Sequence, residues 1–374
     1  MKTHKGIWAA LFAATAMLAL PACGVGAESG SDSATTTTKA GATTEPAKPI
    51  DLDAAIAASK EEGKLIVYGN PSADQWEPVL AAFHEAYPWI EVETFDLGGA
   101  EAFQRFLTEE GTGTNTADVI VNTDGAGWLD LISRGKVVDY VDPELADLPD
   151  FAVAAPGVFA MSVDPLIAIF NTKAVPEDEQ PETLADLAAM SEDLDGKIGT
   201  VDVENGQVGL GTYGYTEERD DAWDVLDEIG PHTKVEDGSG ALLSKLQSGE
   251  YVGAFMASGS IRALIDTTDT GKVLNYRYLT DATVLPTRGV GITTAAKSPN
   301  AAKVFVNFLL SKDGQTAGCA GGFTPYRDDV ECDQDLAAIE DIVGDGNALV
   351  VGYPEDLVTG LPEMRERWDE AFGR

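Results

Sequence analysis

Four short polar segments carry the residues best suited to hold a small molecule. Each follows an apolar run and precedes a helical repeat. They contribute Tyr68, Asn70 and Ser72, then Thr123 and Asp124, then Asn205 and Gly206, and finally Ser258 and Ser260. Hydroxyls, amides and a carboxylate supply both donors and acceptors, and glycine lets a ligand approach the backbone closely. Where a strand gives way to a helix, the free N–H groups of the first turn add further donors. Serine, asparagine and aspartate also lead the N-cap preferences, so any single turn reads equally well as an ordinary cap. Four such turns in one chain shift the balance toward a shared binding site.

Chemistry beyond binding has little to work with. His84 lies in a helical stretch and His232 follows Pro231, so each reads as a surface or capping residue rather than a ligand. There is no Gly-x-Ser-x-Gly elbow, no phosphate-binding loop and no His-Glu-x-x-His. These features point away from an enzyme and from any resident cofactor or metal. The formal net charge of -38 is spread along the chain, which argues against nucleic acid and against electrostatic docking on anionic lipid. The charge of a bound solute stays open. Helix N-termini favour an anion, whereas Asp124, Asp202 and Glu204 oppose one, and Arg262 and Arg288 could offset them.

The elements that must position these turns alternate regularly. Residues 65–68 form a compact apolar strand, and Ser72 is the expected N-cap of a helix carrying Trp76, Val79, Leu80 and Phe83. Strands follow at 90–95 and 118–121, with helices around Phe103, Phe106 and Leu107 and around Trp128, Leu129 and Ile132. Further strands are expected at 165–170, 197–201, 252–256 and 290–292, and further helices at 182–190, 240–246, 260–265 and 301–310. Tyr213 and Tyr215, in a stretch read as a loop or helix start, are expected to serve packing. Strands alternating with helices predict an α/β fold with mostly parallel central sheets. Its length suits two lobes rather than one core. Less periodic stretches at 158–164 and 279–288 fit two crossings between them. Lobe 1 is then 51–160 with 285–374, and lobe 2 is 161–284.

The N-terminus addresses the chain outward. Lys2 and Lys5 precede an apolar stretch from Ile7 to Leu20, the pattern of a cleaved signal over residues 1–22. Leu20-Pro21-Ala22-Cys23 resembles the bacterial lipobox, which makes Cys23 the lipidated first residue of the mature chain. Residues 23–50 are rich in Ser, Thr, Ala and Gly and read as a flexible leash to that lipid anchor. With Cys23 committed to lipid, Cys319 and Cys332 are the thiols left in an oxidising compartment and are expected to pair.

Several segments, taken in order, resemble one known family. They are Gly63-Lys64-Leu65-Ile66-Val67-Tyr68, Phe83 to Tyr87-Pro88 and Thr116-Ala117-Asp118-Val119-Ile120. Pro165 to Asn171-Thr172, Gly249-Glu250-Tyr251, Ala302 to Ser311 and Thr324-Pro325-Tyr326-Arg327 continue the series. Together they resemble the extracellular solute-binding proteins of ABC importers, in the branch holding ferric-iron, phosphonate and sugar-phosphate binders. The resemblance implies two α/β lobes joined by a two-strand hinge, a small solute in the cleft, and permease and ATPase subunits as partners. It also implies a monomer at the extracytoplasmic face of the bacterial membrane. The iron-binding branch uses an adjacent tyrosine pair after the strand that here is 252–256. This chain has Ala257-Ser258-Gly259-Ser260 there and no Tyr-Tyr pair anywhere, so iron is the alternative cargo. A ligand-sensing receptor for a signalling partner is the other alternative. Replacing the anchor residue, Cys23→Ala, should move the protein from the membrane fraction to the soluble fraction; unchanged retention on membranes contradicts the lipidation.

Overall fold

The computed structural model describes residues 47–374; the signal segment, Cys23 and most of the leash lie outside the described residues. Lys48 to Ile50, read from sequence as leash, instead bridge to Val141 through backbone hydrogen bonds. Among the described residues no helix is long and apolar enough to cross a membrane.

Two sheets organise the chain. The first begins with β1 (Lys64–Gly69), β2 (Glu91–Asp96) and β3 (Val119–Asn122), followed by β4 (Val153–Ala155) and β5 (Val158–Val163). The second contains β6 (Leu166–Asn171), β7 (Ile198–Val201), β8 (Thr233–Glu236), β9 (Gly253–Ser258) and β10 (Leu274–Arg277). The chain then returns to the first sheet with β11 (Thr283–Ile292) and β12 (Ala348–Val351). The orders are β2-β1-β3-β11-β5-β4, with β12 beside β11, and β10-β6-β9-β7-β8. The expected parallel pairing holds for β2-β1-β3 and for β8-β7-β9. β11 runs antiparallel to β3 and β5, and β6 antiparallel to β9 and β10, so each sheet is mixed; β12 joins β11 in parallel.

The crossings lie where the sequence lost its periodicity, but they are largely strand. Residues 158–163 and 283–292 are buried throughout, and a strand buried on both faces shows no alternation to read. Only Asp164 and Pro165 separate β5 from β6, and residues 278–282 separate β10 from β11.

Helices cover the first sheet as expected. α1 (Leu52–Ser59), α2 (Ala73–Ala86), α3 (Gly99–Gly111) and α4 (Gly125–Ser133) follow one another along the first part of the chain. Ser72 caps α2 in a capping box with Gln75, and Trp76, Val79 and Phe83 turn to the core. The second sheet carries α5 (Leu184–Ala189), α6 (Gly206–Glu218), α7 (Ala222–Ile229), α8 (Ser239–Ser248) and α9 (Arg262–Thr267). Tyr213 and Tyr215, in the stretch read as a loop or helix start and expected to serve packing, lie inside α6 and are buried. A side chain at Gly211 would meet Leu166 of β6 at 2.4 Å and Pro286 of β11 at 3.1 Å, so glycine lets α6 lie against both crossings.

The remaining helices are α10 (Pro299–Leu310), α11 (Lys312–Ala320), α12 (Leu336–Val343) and α13 (Leu357–Ala371). The sequence reading placed the whole C-terminus in lobe 1, but α13 straddles the sheets. Phe372 packs on Phe255 of β9, and Arg367 pairs with Asp227 of α7. Cys319 and Cys332 form the expected disulfide across a separation of 13 residues. It closes the loop carrying Phe323, Thr324 and Tyr326.

Asp142 ties the short 3-10 turn Pro143–Asp147 to α10, accepting from the Glu144 N–H at 3.1 Å and from Asn307 at 2.8 Å. Its other oxygen is buried without a partner among the described residues. Burial pushes the Asp142 carboxyl above its ordinary range. A value raised on folding contributes stability that is complete below the unfolded value and lost as pH rises through the folded one. Asp142→Asn keeps the acceptor and removes the charge. Its melting temperature at pH 7 should rise on the order of a degree or two, from about 1 kcal/mol. In melting curves that gain should shrink as pH falls toward the ordinary carboxylate range.

Candidate functional site

The four turns are built by the same local rule: a strand ends and a polar residue caps the next helix. Asp124 caps α4 by accepting from the Gly127 N–H at 3.1 Å, and Asn205 caps α6 by accepting from Gln207 and Val208. Ser258 sits at the end of β9, where its N–H donates to Ser239 Oγ at 2.9 Å and its hydroxyl lies 3.0 Å from that of Ser260.

Asp164 and Pro165, the first crossing, lie at the centre. Arg288 of β11 donates through Nε to Asp164 at 2.7 Å and pairs with it through Nη2 at 2.5 Å. Ser162 donates to the same carboxylate at 3.0 Å. The other Nη of Arg288 donates to the Asn70 side-chain oxygen, and the Asn70 amide donates to Thr123 Oγ1 at 3.0 Å. Both charged groups are buried, Arg288 at 4% exposure and Asp164 at 5%. One polar chain therefore runs from the crossing through Arg288 and Asn70 to the start of α4.

The second sheet meets this chain from the other side. Gly259 donates to the Pro165 carbonyl at 2.8 Å, and Gln207 reaches the Asp164 carbonyl at 3.4 Å. A side chain at Gly206 would bring its Cβ within 2.9 Å of the Asp124 Cβ, so the start of α6 abuts the start of α4.

Most of the expected residues are thus gathered about one centre. Asn70 and Thr123 are bonded to each other, Asp124 faces Gly206 beside Asn205, and Ser258 and Ser260 flank the residue that grips Pro165. Ser72 serves as the cap of α2. Tyr68 does not belong. Its side chain points to α3, donates to Glu109 at 2.7 Å and packs edge-on against Phe95. Burial, then the carboxylate it donates to, pushes its pKa up to about 12. Alternation explains the miss: the strand turns successive side chains to opposite faces, and Tyr68 falls on the α3 face.

Sequence reasoning also missed Asp164, Ser239 and Tyr353 as contributors. The Tyr353 hydroxyl, fully buried, accepts from the Gly289 N–H at 2.9 Å and lies 2.8 Å from the Thr287 carbonyl. Nothing local marks such contacts, since the partners stand far apart in the chain. Of the two arginines weighed as counter-charges, Arg288 is neutralised by Asp164, whereas Arg262 forms no ion pair among the described residues. A groove of about 730 Å³ lies at one side, lined by Tyr276, Arg277 and Tyr278 against Asp333 and Ile342. None of the four turns lines it.

Residues 79–341 match the family described as bacterial extracellular solute-binding protein. The chain belongs to that family. Among solved structures it is similar to the substrate-binding protein of an ABC transporter from Agrobacterium tumefaciens, with a TM-score of 0.72 and 23% identity over 85% of this chain and 96% of that one. It is also similar to iron-bound HitA from Pseudomonas aeruginosa (TM-score 0.66, 17% identity, 82% and 99% covered). AfuA from Actinobacillus pleuropneumoniae, with fructose-6-phosphate bound, gives a TM-score of 0.64 at 18% identity over 83% and 99%. At these identities the likeness is one of fold. No curated protein matches the sequence.

The Arg288–Asp164 pair is buried at the junction between the two sheets. Removing one member of a buried pair strands the other charge and costs about 3–5 kcal/mol. Arg288→Met should therefore unfold at markedly lower denaturant. Adding Asp164→Asn should recover much of the loss, and a denaturant double-mutant cycle measures the coupling.

Proposed function

We propose that this solute-binding protein is the lipid-anchored receptor of an ABC importer. It captures a small solute between its two sheets and delivers it to a membrane permease served by an ATPase. The contact between Gly206 of α6 and Asp124 of α4, beside the bonded Asn70–Thr123 pair, carries this reading. It joins helix starts from both sheets at the carboxyl ends of strands, where open α/β sheets hold ligands. The two crossings are the hinge, with 51–160 and 285 onward as lobe 1, α13 straddling, and 161–284 as lobe 2. Cys23 carries the lipid and the leash spans the distance to the membrane, on the extracytoplasmic side, with the mature protein a monomer.

The recognition groups are Asn70, Thr123, Asp124, Asn205, Gly206, Ser258 and Ser260, with Ser72 at the margin. Amides and hydroxyls dominate, which suits an organic solute rich in hydrogen-bonding groups. The resemblance to iron-bound HitA keeps ferric iron as the alternative cargo. Against it, iron favours phenolate oxygens, and here serines occupy the turn after β9. Burial raises the pKa of Tyr68 and, with Asp356 nearby, that of Tyr213, so neither yields a phenolate readily.

Thermal-shift screening of metabolites tests the reading. A solute at about a hundredfold excess over its dissociation constant adds roughly 2.7 kcal/mol, a shift on the order of several degrees. A broad library giving no shift, with turnover detected instead, overturns it in favour of an enzyme. Adding ferric citrate to the protein should give no intense visible tyrosinate–iron band; a strong band restores the iron reading.

A further inference from the structure

We propose that Arg262 is the positioning residue that sets lobe closure, a guanidinium clasp joining both crossings to the disulfide-closed loop of the first sheet. The inference rests on the two-lobed reading above. Arg262 opens α9 immediately after the Ser258–Ser260 turn and is 1% exposed. Its Nε donates to the Gly259 carbonyl at 2.9 Å, one Nη to the Tyr278 hydroxyl at 2.5 Å and the other to Thr324 Oγ1 at 2.7 Å.

The three partners stand at three separate places: Gly259 and Tyr278 on the second-sheet side of the two crossings, and Thr324 on the first-sheet side. Gly259 grips Pro165 in the first crossing. Tyr278 begins the second crossing, directly after β10. Thr324 is fastened to the first sheet: it is fully buried, and its carbonyl accepts from the Val163 N–H at 3.2 Å at the end of β5. A single side chain therefore holds a group beside each crossing and a group across the lobe boundary.

The Thr324 bond is the one that opening must break. The loop that carries it cannot follow the second sheet, because Tyr326 donates to the Ala160 carbonyl at 2.6 Å and Phe323 packs on Trp76 of α2. The Cys319–Cys332 disulfide closes the same loop. Rotation about the crossings carries α9 away from this fixed point. The three acceptors of Arg262 are all neutral, in contrast to the carboxylate that meets Arg288. A buried cation served only by neutral acceptors is costly to leave one bond short. The closed geometry, in which all three bonds coexist, is thereby favoured without any charge that an approaching solute would have to displace.

Spin labels at Glu77→Cys on α2 and Lys234→Cys on β8, in the mature lipoprotein in detergent, measure the lobe separation by pulsed electron resonance with no solute present. The background protein should show one dominant distance. Thr324→Val, which keeps the side-chain shape, should add a longer distance, with the closed-to-open ratio falling about tenfold, as expected for one hydrogen bond to a charged group. Thr324→Ser should restore the single distance, and Arg262→Met, if it folds, should reproduce the Thr324→Val pattern. A folded Thr324→Val protein with an unchanged distribution overturns the clasp, even if its melting temperature falls. Because no solute enters the measurement, its failure is distinct from a failure of the solute screen.

Discussion

The buried pair of Arg288 and Asp164 is the constraint on which the rest of the structure depends. It joins Arg288 on β11 to Asp164 in the two-residue link between β5 and β6, at the point where the chain first leaves the first sheet. Burying two charges is expensive, and their attraction offsets that cost only when the remaining donors and acceptors are satisfied. Ser162 and Asn70 do so here, and through Asn70 the network extends to Thr123 at the foot of α4. The geometry of the recognition turns is thus tied to the junction rather than left to loop packing. Arg288 is used up in this arrangement. Its guanidinium holds Asn70 and, through it, Thr123 in register.

Around that base the fold solves a packing problem. α6 must approach both crossings closely, and its glycine ridge allows it, with Leu166 and Pro286 filling the space a side chain would need. The start of the same helix then lies against the start of α4. The Tyr353 hydroxyl accepts from Gly289 on the other side, where β5 carries the extra residue Met161 opposite Arg288 and Gly289 of β11. Both crossings are buried, and the charged pair between them is satisfied by Ser162 and Asn70, while the Thr287 hydroxyl is buried without a partner among the described residues.

How much of this was legible depended on whether the signal was local. The strand–turn–helix units through α4 could be read because Leu65 and Val67, then Trp76, Val79 and Phe83, show their periods within a few residues. Caps at Ser72, Asp124 and Asn205 were visible for the same reason. The crossings fall in stretches without a readable period, since residues buried on every side carry none, and that they are strands was implied by the resemblance alone. Tyr68 was misplaced because a strand's period fixes which residues share a face, not which face meets the ligand. The Arg288–Asp164 pair, 124 residues apart in sequence, leaves no local trace, and neither does the return of α13 to the second sheet. The membership of the family was legible from the order of many weak motifs. The ion pair at its centre was not.

The central claim is that solute is held where α4 and α6 meet. Gly206→Val tests it most directly, because a side chain there would enter the space now occupied by Asp124 while leaving the Arg288 network and the core untouched. Isothermal titration with a solute identified by the screen should show binding to the wild type. The Gly206→Val protein, melting within a degree or two of wild type, should show affinity weakened by about a hundredfold or more, the loss expected when closure is blocked. A variant that folds and binds that solute with wild-type affinity would place the site elsewhere and contradict the account.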